Sequence, residues 1–212
     1  MAYLIAKRFF LFLRILFVKK CTGLENIPKE GPFILVANHQ THLDGIVLGS
    51  YVIEKTNQKI HFFAKREFTE YFGKVFEKIV YQQWAGCLFV EKEGTKNKGE
   101  KAIQGAVRLL NKGGIVGIFP EGTRSYTGAL LEGKTGIIRI LYRTKRKIPI
   151  IPASIKNSTV MLPRKKIIPR IWKARMNITF GKPFYVTISQ KMTKEVLRNK
   201  TAFVMNKIEE LL

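Results

Sequence analysis

The sequence predicts an α/β fold: a mainly parallel or mixed sheet covered by helices on both faces, preceded by a basic amphipathic N-terminal helix. Three observations carry this. Short apolar, β-branched runs alternate with longer segments of helical periodicity, which is the pattern of a covered sheet. The 212 residues are 46% apolar and 25% charged, enough for one domain with a buried core and too apolar for global disorder. The chain opens on MAYLIAKRFFLFLRILFVKK, an apolar run edged by cations.

In that opening, Phe9 to Val18 is apolar except for Arg14, beside Lys7, Arg8, Lys19 and Lys20. The run is half of the ~20 residues a membrane span needs, and no small-residue cleavage site follows it. One reading is a membrane-associating helix lying in the interface, because Phe and Leu fill nearly every angular position. The other is a helix packed on the domain's own core. The first reading divides the chain into an interfacial helix, 1–22, and a single domain, 23–212.

A turn follows, Gly23 to Gly31. Phe33 to Ala37 reads as a buried strand, Asp44 to Glu54 as a helix and Lys59 to Ala64 as a strand. Phe68 to Trp84 carries an apolar helical stripe that includes Phe68, Phe72 and Phe76. Cys87 to Val90 is a strand. Gly99 to Leu110 is a helix stopped by Asn111-Lys112-Gly113-Gly114. Ile115 to Phe119 is a strand, Gly136 to Tyr142 a short helix, and Ile148 to Ile155 and Met176 to Phe180 strands. A helix from Thr193 to Leu211 closes the chain. No internal repeat or linker interrupts this order.

Charge narrows the class of partner. Thirty-eight Lys and Arg against fifteen Asp and Glu give +23, so the protein favours polyanions: nucleic acid, anionic headgroups or phosphorylated substrates. From Gly133 to Lys194 there are sixteen Lys or Arg and no acid. Two cysteines, Cys21 and Cys87, make neither a disulfide framework nor a four-ligand zinc site, and suit a reducing compartment. Three histidines leave few metal ligands.

Two motifs carry chemistry. The first, Asn38-His39-Gln40-Thr41-His42-Leu43-Asp44, follows the first buried strand. On one continuous helix His39 and Asp44 would point about 140° apart. They meet if His39 lies in the turn and Asp44 in the first helical turn, with Thr41 as N-cap and Asp44 at the capping-box position. Capping alone would account for Asp44, yet it is the lone aspartate beside fourteen glutamates. An acid behind His39 would fix one tautomer and stabilise imidazolium, making a general-base dyad. His42 competes as the base, its alternative being a solvent-facing residue of the first turn. The second motif, Phe119-Pro120-Glu121-Gly122-Thr123-Arg124-Ser125, also follows a strand, where ligand crevices open. Gly122 lets backbone approach a ligand, Arg124 offers a fork for phosphate, and Thr123 and Ser125 add hydroxyls. An ordinary turn with a surface arginine is the other reading. Nucleophile elbows, phosphate-binding P-loops and dinucleotide fingerprints are absent.

Taken together, the two motifs resemble the glycerolipid acyltransferase family, in particular the bacterial 1-acyl-glycerol-3-phosphate acyltransferases. Gly86-Cys87-Leu88-Phe89-Val90-Glu91-Lys92, Ile148-Pro149-Ile150-Ile151-Pro152-Ala153 and Ala64-Lys65-Arg66-Glu67-Phe68 are similar to further blocks, in the family's order. Lys92 stands where the family usually has Arg, keeping the charge without the fork. The resemblance implies direct transfer of a fatty acyl chain to the hydroxyl of lysophosphatidic acid, from acyl-CoA or acyl-carrier protein as co-substrate, with no cofactor and no metal. It implies His39 and Asp44 as catalytic residues and Arg124, Lys92 and Lys65 as phosphate contacts. Glu121, Gly122, Thr123 and Ser125 would shape the acceptor site, Glu121 alternatively serving as a structural turn acid. Phe68, Phe72 and Phe76 would line an acyl pocket or simply pack the core. Backbone N–H groups at the helix start after Thr41 are candidate oxyanion donors. An anionic membrane surface is the expected partner, nucleic acid is not, and the expected location is peripheral or monotopic on the cytoplasmic face. The same chemistry on another lyso-lipid is the nearest alternative, and a non-enzymatic basic protein binding membrane or nucleic acid the distant one.

Overall fold

The computed structural model describes residues 11–65, 87–90, 99–144, 146–163, 166, 168–188 and 192–212. Among these residues seven strands form one sheet: β1 (Val18–Thr22), β2 (Phe33–Ala37), β3 (Ile60–Lys65), β4 (Leu88–Val90), β5 (Ile115–Ile118), β6 (Ile150–Lys156) and β7 (Met176–Phe180). Their spatial order is β1-β7-β6-β2-β5-β3-β4. All pairs are parallel except β6 with β7, so the sheet is mixed, as α/β alternation allows. The helices are residues 11–17 (α1), Leu43–Thr56 (α2), Glu100–Asn111 (α3), Gly136–Arg143 (α4), Ser158–Met161 (α5) and Lys194–Glu209 (α6).

The central strand explains the layering. Every residue of β2 is buried, the mark of a strand covered on both faces. Its alternation sends Phe33, Leu35 and Ala37 into one cluster with Val47, Leu48 and Val52 of α2. Ile34 and Val36 face the other way, against Ile103, Ala106 and Leu110 of α3, Ile137, Ile138 and Leu141 of α4, and Val204 and Ile208 of α6. The Thr193 hydroxyl accepts the Val196 N–H at 3.2 Å, capping α6 where the sequence put its start.

The N-terminal segment departs from expectation in one respect. Val18–Thr22, expected as the end of a helix running to residue 22, is a strand pairing in parallel with β7. β7 has one edge taken by β6 and one open, and an open edge binds an extended segment whose neighbours suit the pleat. Here Cys21 turns to the core while Lys19 and Lys20 stay in solvent. Helix α1 packs Phe17 inward. Arg14, the lone charge in the apolar run, also turns inward, where it is 9% exposed, pairs with Glu54 and lies over the Tyr51 ring at 4.7 Å. Leu11, Phe12 and Ile15 are left on the outside. The expected helical stripe from Phe68 to Trp84 lies outside the described residues.

Candidate active site

Strands β6, β2 and β5 lie side by side and run the same way, so their carboxyl ends open on one edge of the sheet. The first motif leaves β2 there, the second leaves β5, and Asn157 and Ser158 leave β6. Residues some 80 and 120 positions apart in the chain thereby converge.

His39 Nδ1 lies 2.9 Å from Asp44 Oδ2. The Asp44 side chain is fully buried and the His39 side chain one-fifth exposed. The same Oδ2 accepts the N–H groups of Gln40 at 2.6 Å and Thr41 at 2.7 Å. The other oxygen, Oδ1, accepts the hydroxyls of Ser158 at 2.7 Å and Thr41 at 2.9 Å. The helix N-cap is His42, one residue later than the expected Thr41, yet Asp44 still reaches back to the Thr41 N–H and holds the imidazole with the same oxygen. A glutamate, one methylene longer, would carry its carboxylate past these donors.

The peptide of His39 is clamped by the second motif. Glu121 Oε1 accepts the His39 N–H at 2.7 Å, and the Ser125 N–H donates to the His39 carbonyl at 2.7 Å. The buried Glu121 carboxylate also accepts the Leu131 N–H at 3.0 Å. Burial pushes the Glu121 carboxyl above its ordinary pKa, opposed by those two N–H bonds. Of the residues expected to shape the acceptor site, Glu121 and Ser125 therefore act on the backbone of His39, whereas Gly122 and Thr123 are exposed.

The imidazole is held from its face as well. The Phe119 ring stacks on it, centroids 4.0 Å apart and planes 11° from parallel, and Phe62 stacks on Phe119 at 5.2 Å. Phe62 reaches this place because β5 carries Gly117: a Cβ there would meet the Phe62 ring at 2.3 Å.

The rim is cationic. Arg124 Nη1 donates to His42 Nε2, and its guanidinium lies 5.5 Å from the Tyr126 ring centroid. Desolvation, then the Arg124 charge, lowers the His42 pKa to about 4, so His42 is a neutral acceptor at pH 7. Its Nε2 is turned to Arg124, away from the Asp44 carboxylate that His39 holds. Gly122 turns the chain at φ +64°, and a Cβ there would lie 3.0 Å from Lys134 Nζ. Lys134 N–H also donates to the Pro120 carbonyl at 2.8 Å, so its ammonium sits on the same loop as Arg124.

Other expected residues fall elsewhere. Lys65 ends β3, paired with Val90; its side chain, Lys92, Phe68, Phe72 and Phe76 lie outside the described residues. Of the expected oxyanion donors after Thr41, two are engaged: Leu43 N–H meets Thr41 Oγ1 at 3.3 Å and Asp44 N–H the Thr41 carbonyl at 3.4 Å. Sequence reasoning passed over Ser158, Lys134 and Gly117. Ser158 had a signal, standing just after a strand as both motifs do. Among the described residues no three His, Cys, Asp or Glu side chains cluster as metal ligands.

Chemically, a carboxylate fixed on Nδ1 leaves Nε2 of His39 as the proton acceptor, and Arg124 with Lys134 offers charge for an anion. The sequence profile described as Acyltransferase matches residues 19–156. The 1-acyl-sn-glycerol-3-phosphate acyltransferase of Bacillus subtilis is 28% identical over 195 residues, 91% of this chain and 87% of that one. A probable 1-acyl-sn-glycerol-3-phosphate acyltransferase of Mycoplasma genitalium is 27% identical over 149 residues, 70% of this chain and 53% of that protein. The crystal structure of the 1-acyl-sn-glycerophosphate acyltransferase of Thermotoga maritima superposes with a TM-score of 0.66 at 27% identity, covering 97% of this chain and 76% of the other. Because the matched stretch takes in more than half of the chain and holds both the His39–Asp44 pair and the Glu121 loop, the chain belongs to the acyltransferase family.

Proposed function

We propose that the protein is a 1-acyl-sn-glycerol-3-phosphate O-acyltransferase: it moves a fatty acyl chain from acyl-CoA or acyl-carrier protein to the sn-2 hydroxyl of lysophosphatidic acid, giving phosphatidic acid for phospholipid synthesis. The observation that carries this is the 2.9 Å contact of His39 Nδ1 with the buried Asp44. His39 Nε2 takes the proton of the acceptor hydroxyl as its oxygen attacks the thioester carbonyl. The new C–O bond forms, the C–S bond breaks, and the proton passes from His39 to the departing thiolate. Asp44 stabilises the imidazolium between these steps. No acyl-enzyme and no cofactor enter the balance. Arg124 and Lys134 meet the acceptor phosphate, with Lys92 and Lys65 as further contacts. Gly122 and Thr123 leave the face of the loop open to it, and the stripe with Phe68, Phe72 and Phe76 supplies the acyl pocket.

The acceptor lives in a bilayer, and the enzyme acts there as a peripheral or monotopic protein on the cytoplasmic face, with the outer side of α1 as its lipid-facing surface and β1 already part of the catalytic domain. Leu11, Phe12 and Ile15 pointing outward support this. Among the described residues no helix is long and apolar enough to cross a membrane. Purified protein with radiolabelled acyl donor and lysophosphatidic acid should form phosphatidic acid, and His39→Ala should lose roughly 10²–10⁴-fold in kcat with an unchanged circular dichroism spectrum. Full turnover by the alanine variant refutes the reading. Lys92 in place of the usual Arg favours a second reading, another lyso-lipid acceptor, and an acceptor panel decides between the two.

A further inference from the structure

We propose that the turn around Trp172 is a second membrane arm, which binds an anionic bilayer together with the outer face of α1; this rests on the membrane reading above and locates its contact surface. Trp172 is 73% exposed and Ile168 75%, the two most exposed large apolar side chains among the described residues. Trp172 is held in place. Lys173 and Ala174 N–H groups bond the Arg170 carbonyl at 2.9 and 3.3 Å, which closes a turn with Trp172 at its tip.

The turn is joined to α1. Arg175 donates to the Ile15 carbonyl at 3.1 Å, near the carboxyl end of the α1 helix. Phe12, Ile15 and Leu16 on one side and Ile171, Trp172 and Arg175 on the other line a shallow groove of ≈ 460 Å³. Two segments about 160 residues apart thus present one apolar surface, while the single charge of the α1 run, Arg14, is turned inward onto Glu54.

Charge selects the occupant. Lys166, Arg170, Lys173 and Arg175 accompany the tip, within the acid-free stretch of sequence from Gly133 to Lys194. An apolar tip with an indole, set among cations, matches the boundary between anionic headgroups and acyl chains. The base of the arm is tied to the helix that supports Asp44: Arg170 N–H bonds the Met161 carbonyl at 2.7 Å, and Met161 ends the short helix α5 that starts with Ser158 on Asp44. Docking through this arm holds the site at the lipid surface from which its acceptor comes.

The test uses the full chain with Trp84→Phe, which leaves Trp172 as the single tryptophan. Vesicles of phosphatidylcholine with or without phosphatidylglycerol, carrying brominated acyl chains, are titrated at low and high salt. The expected result is a blue shift and quenching of Trp172 on the anionic vesicles, weakened by salt and on neutral vesicles. In the otherwise unchanged chain, Trp172→Ser should lower vesicle affinity about tenfold or more and leave turnover of a detergent-dispersed acceptor unchanged. Trp172 unquenched on vesicles that sediment the protein overturns this arm and leaves the membrane reading standing. Equal quenching on neutral vesicles overturns the choice of an anionic surface. Emission already blue-shifted and indifferent to vesicles would mean that the patch is covered by residues 1–10 or by a second copy, which also overturns it. Failure of acyl transfer would strike the catalytic reading alone.

Discussion

Ser158→Ala separates the support of the catalytic carboxylate from the carboxylate itself. The substitution removes one hydroxyl, 2.7 Å from Asp44 Oδ1, in a fully buried place. Oδ1 keeps the Thr41 hydroxyl at 2.9 Å, and Oδ2 keeps all three of its donors, His39 included. A hydrogen bond to a buried charged group contributes about 1.5–3 kcal/mol, and no large cavity is left. For a chain of this size each kcal/mol shifts Tm by about 2–4 °C, so the melt should fall by about 3–12 °C. The imidazole contact is untouched, so the activation barrier should rise by less than about 1.4 kcal/mol, under tenfold in kcat. Thermal unfolding followed by circular dichroism, with kcat and KM for lysophosphatidic acid, gives both numbers. A variant that melts with the wild type, or one as inactive as His39→Ala, would refute the division of labour between the two oxygens of Asp44.

Three more perturbations probe other parts of the site. Gly117→Ala puts a methyl into the Phe62 ring, which should cost about 1–3 kcal/mol of stability and lower kcat more than it raises KM, because the Phe62–Phe119–His39 stack shifts; steady-state kinetics and a melt decide it. Lys134→Met should raise KM for lysophosphatidic acid about tenfold, a solvent-screened charge contact, and leave kcat within about threefold. The His42 pKa, lowered to about 4 from 6.5, means the unfolded chain binds more protons between those values. Stability from this group is full above pH 6.5 and is lost as pH falls toward 4. His42→Gln should therefore show a shallower acid limb in urea unfolding.

The sheet was legible because its strands are short apolar runs between turn signals, and β2, buried on both faces, is the plainest of them. Strand β1 was not. Its residues continue the apolar, basic-edged run of α1, and only the open edge of β7, over 150 residues away, makes them extended. The His39–Asp44 pair was legible from spacing plus a turn that puts the two in different local conformations. Glu121 was legible as a residue but not in its action: which group a buried carboxylate accepts from depends on two strands lying in register. Ser158 and Gly117 left only faint marks, since a small residue after or within a strand is ordinary until its neighbour is known. Arg14 read as a blemish in an apolar helix, and tertiary pairing with Glu54 turned it into the residue that fixes which face looks outward.

The clamp on the His39 peptide separates where the base stands from what it can do. Glu121 and Ser125 set the position of the ring through its own backbone, and Asp44 sets its tautomer and charge. Asp44→Asn keeps an oxygen for the donors at Oδ2, and the Thr41 and Ser158 hydroxyls can rotate to accept the new amide. The ring stays in place but the imidazolium loses its counter-charge, so kcat should drop by roughly 10² or more with a small change in stability. Glu121→Gln keeps one oxygen for the His39 N–H but sets an NH₂ against the Leu131 N–H. It should cost about 1–3 kcal/mol and only a modest part of kcat. The pH dependence differs as well. Burial holds the Glu121 pKa above its usual 4.5, so the folded chain binds the extra proton, and the stability it supplies is lost as pH rises through the raised value. That slope should vanish in Glu121→Gln and persist in Asp44→Asn. If Asp44→Asn proves to be the variant that unfolds, and Glu121→Gln the one that stops turnover, position and charge are assigned to the wrong residues.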